Sequence, residues 1–419
     1  MKKIVVSLML AVVCVGMTVS GGEKKAESKE KTIKVGILHS LTGILAISES
    51  SLKDAELLAI EEINKTGGVL GRQIEPIIVD PASDFTGKFP DLAKKLLVED
   101  KVVTVFGCWV SVSRKNVLPV FEENNGLLFY PVAYEGNECS KNVIYTGATP
   151  NQQIIPAVDW LLSKDGGQRK KMYLLGNDYI FPRTANFIIR KYLKAKGVEP
   201  VGEVYIPFGQ RDFSKVVQAI RNAKPDVIFN SLFGDDNTNF YDELVKQGIT
   251  ADKLPVVATN VGEDEMRSLD RTKLKGHLAA RTYFQTINTP KNREFVKKFK
   301  DKYGKDRITD DSVASAYAQV YLWKRAVEKA GAFEVDKVRA SIGNIEFDAP
   351  EGKIKVSPKN YHVRKSFFMG KIRDDGQFEI IYKTSPIEPD PFPQVAFPGW
   401  SCDWTAGGLK VGPRVTISN

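Results

Sequence analysis

Residues whose side chains could hold a small polar molecule stand at the ends of predicted strands: Trp109, Ser111, Tyr130 and Tyr134, then Asn177, Asp178, Tyr179 and Phe181, then Asp235 and Asp236, then Glu263, Asp264 and Glu265. Each lies at the end of a short apolar run that reads as a buried strand, or just beyond it: VVTVFG, GLLFYPV, KKMYLLGND, DVIFNSLFG and KLPVVATN. Carboxylates and hydroxyls suit a ligand rich in N–H donors, and flat rings cover a planar ligand and exclude water. No lysine or arginine stands nearest these strand ends. A sugar phosphate would call for a Gly-rich cradle or basic side chains, and a zwitterion for a partner to its carboxylate. The set therefore fits an uncharged, flat, amide-like molecule, of which urea is the extreme case.

Each residue also has a purely structural reading. Ser40 and Thr42 can cap a turn. Ser48 and Glu49 suit the start of a helix, Ser111 or Ser113 can cap the helix near Arg114, and Asp236 and Asp264 read as N-caps. The combined inventory at several strand ends raises the functional reading.

Catalysis has little support. The histidines number three, His39, His277 and His362, and no nucleophile-elbow motif accompanies Cys108 or Ser111. Catalytic residues are thus expected to be none. The cysteines are Cys14, Cys108, Cys139 and Cys402, without CxxC spacing or a neighbouring histidine, so no metal and no cofactor is expected. Cys108 ends an apolar strand and reads as a small buried residue. A pairing of Cys139 with Cys402 stays open.

The chain has 419 residues, 42% hydrophobic and 26% charged, enough for two ordinary domains. Its net charge is +9, but both signs alternate along it and no basic block forms, so nucleic acid is not an expected partner. The start, MKKIVVSLMLAVVCVGMTVS, has two lysines, an apolar run too short to span a bilayer, and small residues after it. Residues 1–22 are expected to be an export signal peptide and 23–31 a flexible tether. Export implies a periplasmic or cell-surface site of action. Cys14 follows Val13 where a lipobox wants a small residue, and lipid anchoring is left open.

From Thr32 onward, apolar strands alternate with amphipathic helices, which implies a doubly wound α/β sheet. The pattern restarts after NVIYTGATP to give a second α/β unit of similar size. A helical section from Lys291 to about Ile342 follows. Hairpins come next, with Asp375-Gly376 as a turn, and an irregular tail begins at Pro386. Two such sheets facing each other make a cleft beyond their carboxyl ends.

Longer runs carry a resemblance. VGILHSLTGILAISE, the block from Gly107 to Gln153, NDYIFPRTAN, YFQTINTP, YLWKRAVEKAG and SCDWTAGG resemble type I periplasmic binding proteins. Within them they are similar to the urea-binding subunits of urea ABC transporters, with short-chain amide binders and sensors nearby. The resemblance implies two Rossmann-like lobes joined by a three-crossover hinge. Lobe 1 would comprise 32–148 plus 284–348, lobe 2 149–283 plus 349–395, and the tail 396–419. It places Trp109, Ser111 and Tyr130 on the first wall of the cleft and Tyr179, Asp235 and Glu263 on the second. Asp235 and Glu263 would accept N–H bonds, Ser111 or a backbone N–H would donate to the carbonyl, and the rings would cover the faces. The implied partners are urea or a short amide (formamide, acetamide), with branched-chain amino acids as the further alternative, and an ABC transporter permease in the inner membrane. Trp109, Val132 and Phe181 depart from the amide-binder pattern, in the direction of urea.

Overall fold

A computed structural model describes residues 31–267 and 269–417. The expected signal peptide, with all of the tether except Lys31, lies outside the described residues. No helix among the described residues is long and apolar enough to cross a membrane.

The first sheet contains β1 (Thr32–Leu38), β2 (Gln73–Val79), β3 (Val105–Gly107), β4 (Leu128–Tyr130) and β5 (Val143–Tyr145). All are parallel, in the order β2-β1-β3-β4-β5. The strand-to-strand crossings carry α1 (Ala46–Lys65), α2 (Lys88–Lys94) and α3 (Ser111–Glu123). β3, β4 and β5 are wholly buried, as sheets with helices on both faces require.

The chain then crosses to a second sheet through α4 (Pro150–Leu162). There it forms β6 (Met172–Asn177), α5 (Ile180–Ala195), β7 (Gly202–Ile206), α6 (Ser214–Ala223) and β8 (Val227–Ser231). Next come α7 (Asp235–Lys246), β9 (Val256–Ala258), α8 (Arg271–Leu274) and β10 (Leu278–Arg281). It returns through α9 (Pro290–Tyr303), α10 (Asp311–Ala330) and α11 (Val335–Ile342). α10 packs on α1 and behind β3, where Trp323 meets Phe106 edge to face, ring centroids 6.1 Å apart.

A three-stranded sheet follows: β11 (Glu346–Ala349), β12 (Gly352–Val356) and β13 (Val363–Arg364). A bridge from His362 to Tyr145 joins it to the end of β5. The chain crosses a third time into β14 (Phe368–Ile372) and β15 (Phe378–Lys383), which complete the second sheet in the order β15-β14-β10-β9-β8-β6-β7. The hairpin turns at Gly376, φ +75°, as the Asp-Gly pair implies. The segment from 349 is therefore split. β12 and β13 stay beside the first sheet, and β14 and β15 join the second.

In each sheet the strand order reverses at one point, between β1 and β3 in the first and between β6 and β8 in the second. Such reversals splay the following loops apart and leave a crevice at the carboxyl edge. The loops after β3 and β8 face each other, because Trp109 and Phe233 meet with ring centroids 5.3 Å apart at 79°. The two lobes are closed on one another in this conformation.

Candidate functional site

At the end of β3 the backbone turns sharply. Cys108 has φ +67°, a left-handed conformation that costs a residue with a Cβ roughly 1–2 kcal/mol. Its N–H still bonds to Leu38 O at 3.0 Å, so the ends of β1 and β3 stay joined while Trp109 leaves the sheet. Strained non-glycine residues of this kind gather at binding sites.

Ser111 opens α3 but caps nothing, since the residue before the helix is Val110 and no side chain caps it. Its hydroxyl instead donates to Glu135 Oε2. Glu135 Oε1 accepts from Arg114 at 3.0 Å, and Arg114 Nε reaches Glu138 at 2.9 Å. Lys115 lies 3.0 Å from Glu138, and the Tyr145 hydroxyl donates to it at 2.7 Å. Burial opposes ionisation of Glu138, yet Arg114 and Lys115 hold its carboxyl down to about 2. Arg114 is itself fully buried and lies over the Tyr130 and Tyr134 rings at 4.8 and 4.5 Å. Tyr130 is buried beneath, its hydroxyl bonded to Trp109 O at 2.7 Å. Two buried acids and two cations thus neutralise one another inside the first wall.

The next residue along this edge is His39, just past β1. It is buried, with Nε2 2.9 Å from Glu56 and Nδ1 3.4 Å from Glu49. Burial works against its charge, but Glu56 and Glu49 raise it to about 9. Glu49 also accepts from the Ser40 N–H at 2.6 Å, and its Oε1 is buried without a hydrogen-bond partner. Through Ser40 and His39, Glu49 sits at the end of β1, the strand paired with β3, and burial pushes its carboxyl upward. Glu49 sits in the first turn of α1, as the sequence suggests, but it serves the strand ends. The clue was SES, which reads equally well as a helix start.

The second wall is aromatic. Phe233, after β8, packs on Trp109, on Tyr179 at 5.5 Å and on Phe181 at 6.2 Å. Tyr179, after β6, also meets Phe208 at 5.1 Å. Burial, and then the nearby Glu135, push the Tyr179 hydroxyl upward, so it stays protonated and faces the first wall. That hydroxyl has no hydrogen-bond partner among the described residues.

The structure therefore brings Trp109, Ser111, Tyr130 and Tyr179 together and adds Phe233, Glu135 and Arg114. It does not bring in the two acids expected as acceptors. Asp235 is exposed at the first turn of α7, where helix-dipole attraction accounts for it. Glu263, in the loop after β9, is buried against the crossover out of β10; its Oε1 accepts from the Gln285 N–H at 2.6 Å beside Asp310 and Arg281, and its Oε2 is buried without a hydrogen-bond partner among the described residues. The expected donation from Ser111 to a ligand carbonyl is also replaced, because its single proton goes to Glu135. Phe233 stands two residues before Asp235, and its apolar character within a strand-end loop was the overlooked signal.

Neither Cys108 nor Ser111 is set up as a nucleophile. Burial, reinforced by Glu49, pushes the Cys108 thiol far up, and Ser111 donates to a carboxylate with no histidine bonded to it. No cluster of described residues could hold a metal ion. A groove of about 1100 Å³ does run along the outer face of α1 and α10. It is wide and laced with pairs such as Lys298–Glu62, 2.8 Å, and lies away from both strand-order reversals.

A family model described as a periplasmic binding protein domain matches residues 33–397. The chain belongs to that family. Its fold is that of type I periplasmic binding proteins. A Leu/Ile/Val-binding protein homolog of Brucella suis is 22% identical over 83% of this binding protein and 89% of its own length. A Leu/Ile/Val-binding protein of Rhizobium johnstonii is 26% identical over 72% and 80%. Among solved structures, an ABC-transporter solute-binding protein of Rhodopseudomonas palustris HaA2 with p-hydroxybenzoic acid superposes with a TM-score of 0.77. It shares 22% identity over 90% of this chain and 99% of its own. A branched-chain amino acid binding protein of Streptococcus pneumoniae with isoleucine gives 0.74, at 19% identity over 86% and 100%.

Proposed function

We propose that this binding protein carries a small uncharged amide, urea foremost, to the permease of an ABC transporter outside the cytoplasm. The observation that supports the ligand class is the self-neutralised first wall. Arg114 is buried and committed to Glu135 and Glu138, so it offers no free charge to a carboxylate. Relatives in complex with isoleucine or p-hydroxybenzoic acid hold carboxylate ligands. A carboxylate brought against this wall would find no uncommitted cation to offset its lost hydration, at a cost of several kcal/mol.

Roles follow from which groups are free. The Ser111 oxygen gives its proton to Glu135 and accepts from Arg114 Nη1 at 3.4 Å, and its second lone pair accepts a ligand N–H. Glu49 Oε1 is a second acceptor on the same edge. The Tyr179 hydroxyl donates to the ligand carbonyl. Trp109, Phe233 and Tyr130 cover the faces and keep water out, which strengthens each bond. Closure is stabilised because these partners come from both lobes, and a ligand favours the state it binds more tightly.

Calorimetric titration of the mature protein with urea, formamide, acetamide, leucine and 4-hydroxybenzoate tests this. Saturable urea binding near micromolar, about −8 kcal/mol, with the acids silent, is the expected result. Binding of leucine or 4-hydroxybenzoate with no heat from urea would overturn the ligand class while leaving the fold and transport role intact.

A further inference from the structure

The residues that orient Ser111 and Arg114 do not sit on a strand or helix. Glu135 and Glu138 lie in the loop 131–142 between β4 and β5. Twelve residues of irregular backbone would ordinarily be a poor support for buried ion pairs. The C-terminal tail supplies the support. Cys139, next to Glu138, is disulfide-bonded to Cys402. Asn137 N–H donates to Pro391 O at 2.8 Å. Gly136, φ +70°, lies so close that a Cβ there would stand 2.5 Å from the same oxygen. The loop and the tail are thus fitted to each other between Glu135 and Glu138 and immediately after Glu138.

The tail is in turn fixed to the second lobe and the hinge. Asn151 at the start of α4 donates to Glu388 O at 2.8 Å and accepts from Asp390 N–H at 2.9 Å. Gln152 donates to Ile387 O at 2.9 Å. Phe392, Ala396, Phe397 and Cys402 form one buried cluster with Phe187 and Ile188 of α5.

We propose that the Cys139–Cys402 bridge is a positioning element of the ligand site. It pins the 131–142 loop against a tail seated on the second lobe. Glu135 is thereby held where it takes the Ser111 proton, and Glu138 where it holds Arg114. A bridge that closes 263 residues of sequence also restricts the unfolded chain strongly. The two effects separate cleanly. A bridge that acted only on the unfolded chain would change the melting temperature and leave the folded protein's affinity alone.

The test compares wild type with Cys139→Ala/Cys402→Ala well below melting, by hydrogen exchange across 111–145 and by urea titration. Exchange in 133–142 at least tenfold faster, with urea bound about tenfold more weakly, is expected. Ile220→Ala, a buried truncation on α6 away from the loop, the tail and the cleft, should lower the melting temperature with affinity within twofold of wild type. Wild-type protein folded first and then reduced with a phosphine gives the same comparison if the double variant does not fold. Unchanged protection in 133–142 after loss of the bridge would overturn the proposal. Unchanged affinity with a lower melting temperature would do so too. The affinity part rests on the urea reading. If wild type takes no urea, that reading fails by itself, and the exchange comparison still decides the role of the bridge.

Discussion

The wall built on β1, β3 and β4 and the wall built on β6 and β8 meet the same cleft with different chemistry. On the first wall, Arg114, Lys115, Glu135 and Glu138 are paired before any solute arrives, and Ser111 and the tyrosines are bonded to or stacked on them. On the second, Phe233, Tyr179, Phe181 and Phe208 pack ring on ring, and the Tyr179 hydroxyl is unclaimed. A buried ionic network is rigid but fragile, because removing one partner strands the others. A ring cluster tolerates change better and can slide as the lobes open. Under the proposed function the first wall supplies the acceptors, and the second supplies cover and one neutral donor, the Tyr179 hydroxyl.

Arg114→Met strikes the network at its centre and should have the largest effect. It leaves Glu135 and Glu138 buried with only Lys115 near them, and a broken buried pair costs about 3–5 kcal/mol. Guanidinium unfolding should show that loss of stability, and solute binding should vanish with it. A midpoint close to wild type would mean the acids are solvated, and the first wall would lose its distinction from the second.

His39 gives the next effect, through pH. Its folded value of about 9 lies above the ordinary 6.5. Stability from its charge between Glu49 and Glu56 is therefore complete below pH 6.5 and lost progressively as pH rises to about 9, on the order of 3 kcal/mol in all. Burial also pushes the Glu49 and Glu56 carboxyls upward, so melting temperature followed from pH 5 to 9.5 should fall for wild type through His39, and at lower pH in His39→Gln, which takes the cation from between the two acids. A fall over the same pH range in both would place the charge elsewhere.

Two substitutions then compare the walls directly. Ser111→Ala removes the acceptor and leaves Glu135 Oε2 unpaired, for about 1–3 kcal/mol in urea affinity. Phe233→Ala removes cover alone and should cost about 1 kcal/mol, the size of an aromatic pair, with Trp109 fluorescence shifted toward that of exposed indole. If Phe233→Ala costs more than Ser111→Ala, recognition belongs to the rings.

How much of this was legible follows from where each signal lies. Strand and helix periodicity are local, so β1 to β9 and the placement of Trp109, Ser111, Tyr130 and Tyr179 at strand ends could be read directly. Arg114 could not be read as neutralised. Its partners are 21 and 24 residues away, in a loop with no period of its own, and its reach depends on a tail held by Cys402. The same limit hid Glu49, whose position fits a helix start as well as a strand-end ligand. It also misplaced β12 and β13, because a short hairpin carries no mark of which sheet it joins.

Asp235→Ala is the smallest and most discriminating change. The resemblance to urea-binding subunits implies that Asp235 accepts a ligand N–H bond, worth about 1.5–3 kcal/mol on removal. The structure leaves it exposed at the start of α7, one position from the buried Asp236, which bonds Asn177 at 2.6 Å. An exposed carboxylate in a helix's first turn contributes a few tenths of a kcal/mol through the helix dipole. Urea affinity in Asp235→Ala should thus stay within about 0.5 kcal/mol of wild type, while Asp236→Ala, which strands Asn177, should lower the melting temperature. A tenfold loss of affinity in Asp235→Ala would return a charged acceptor to the second wall. The acceptors would then be shared between the lobes, and the contrast between a wall that accepts and a wall that covers would not hold.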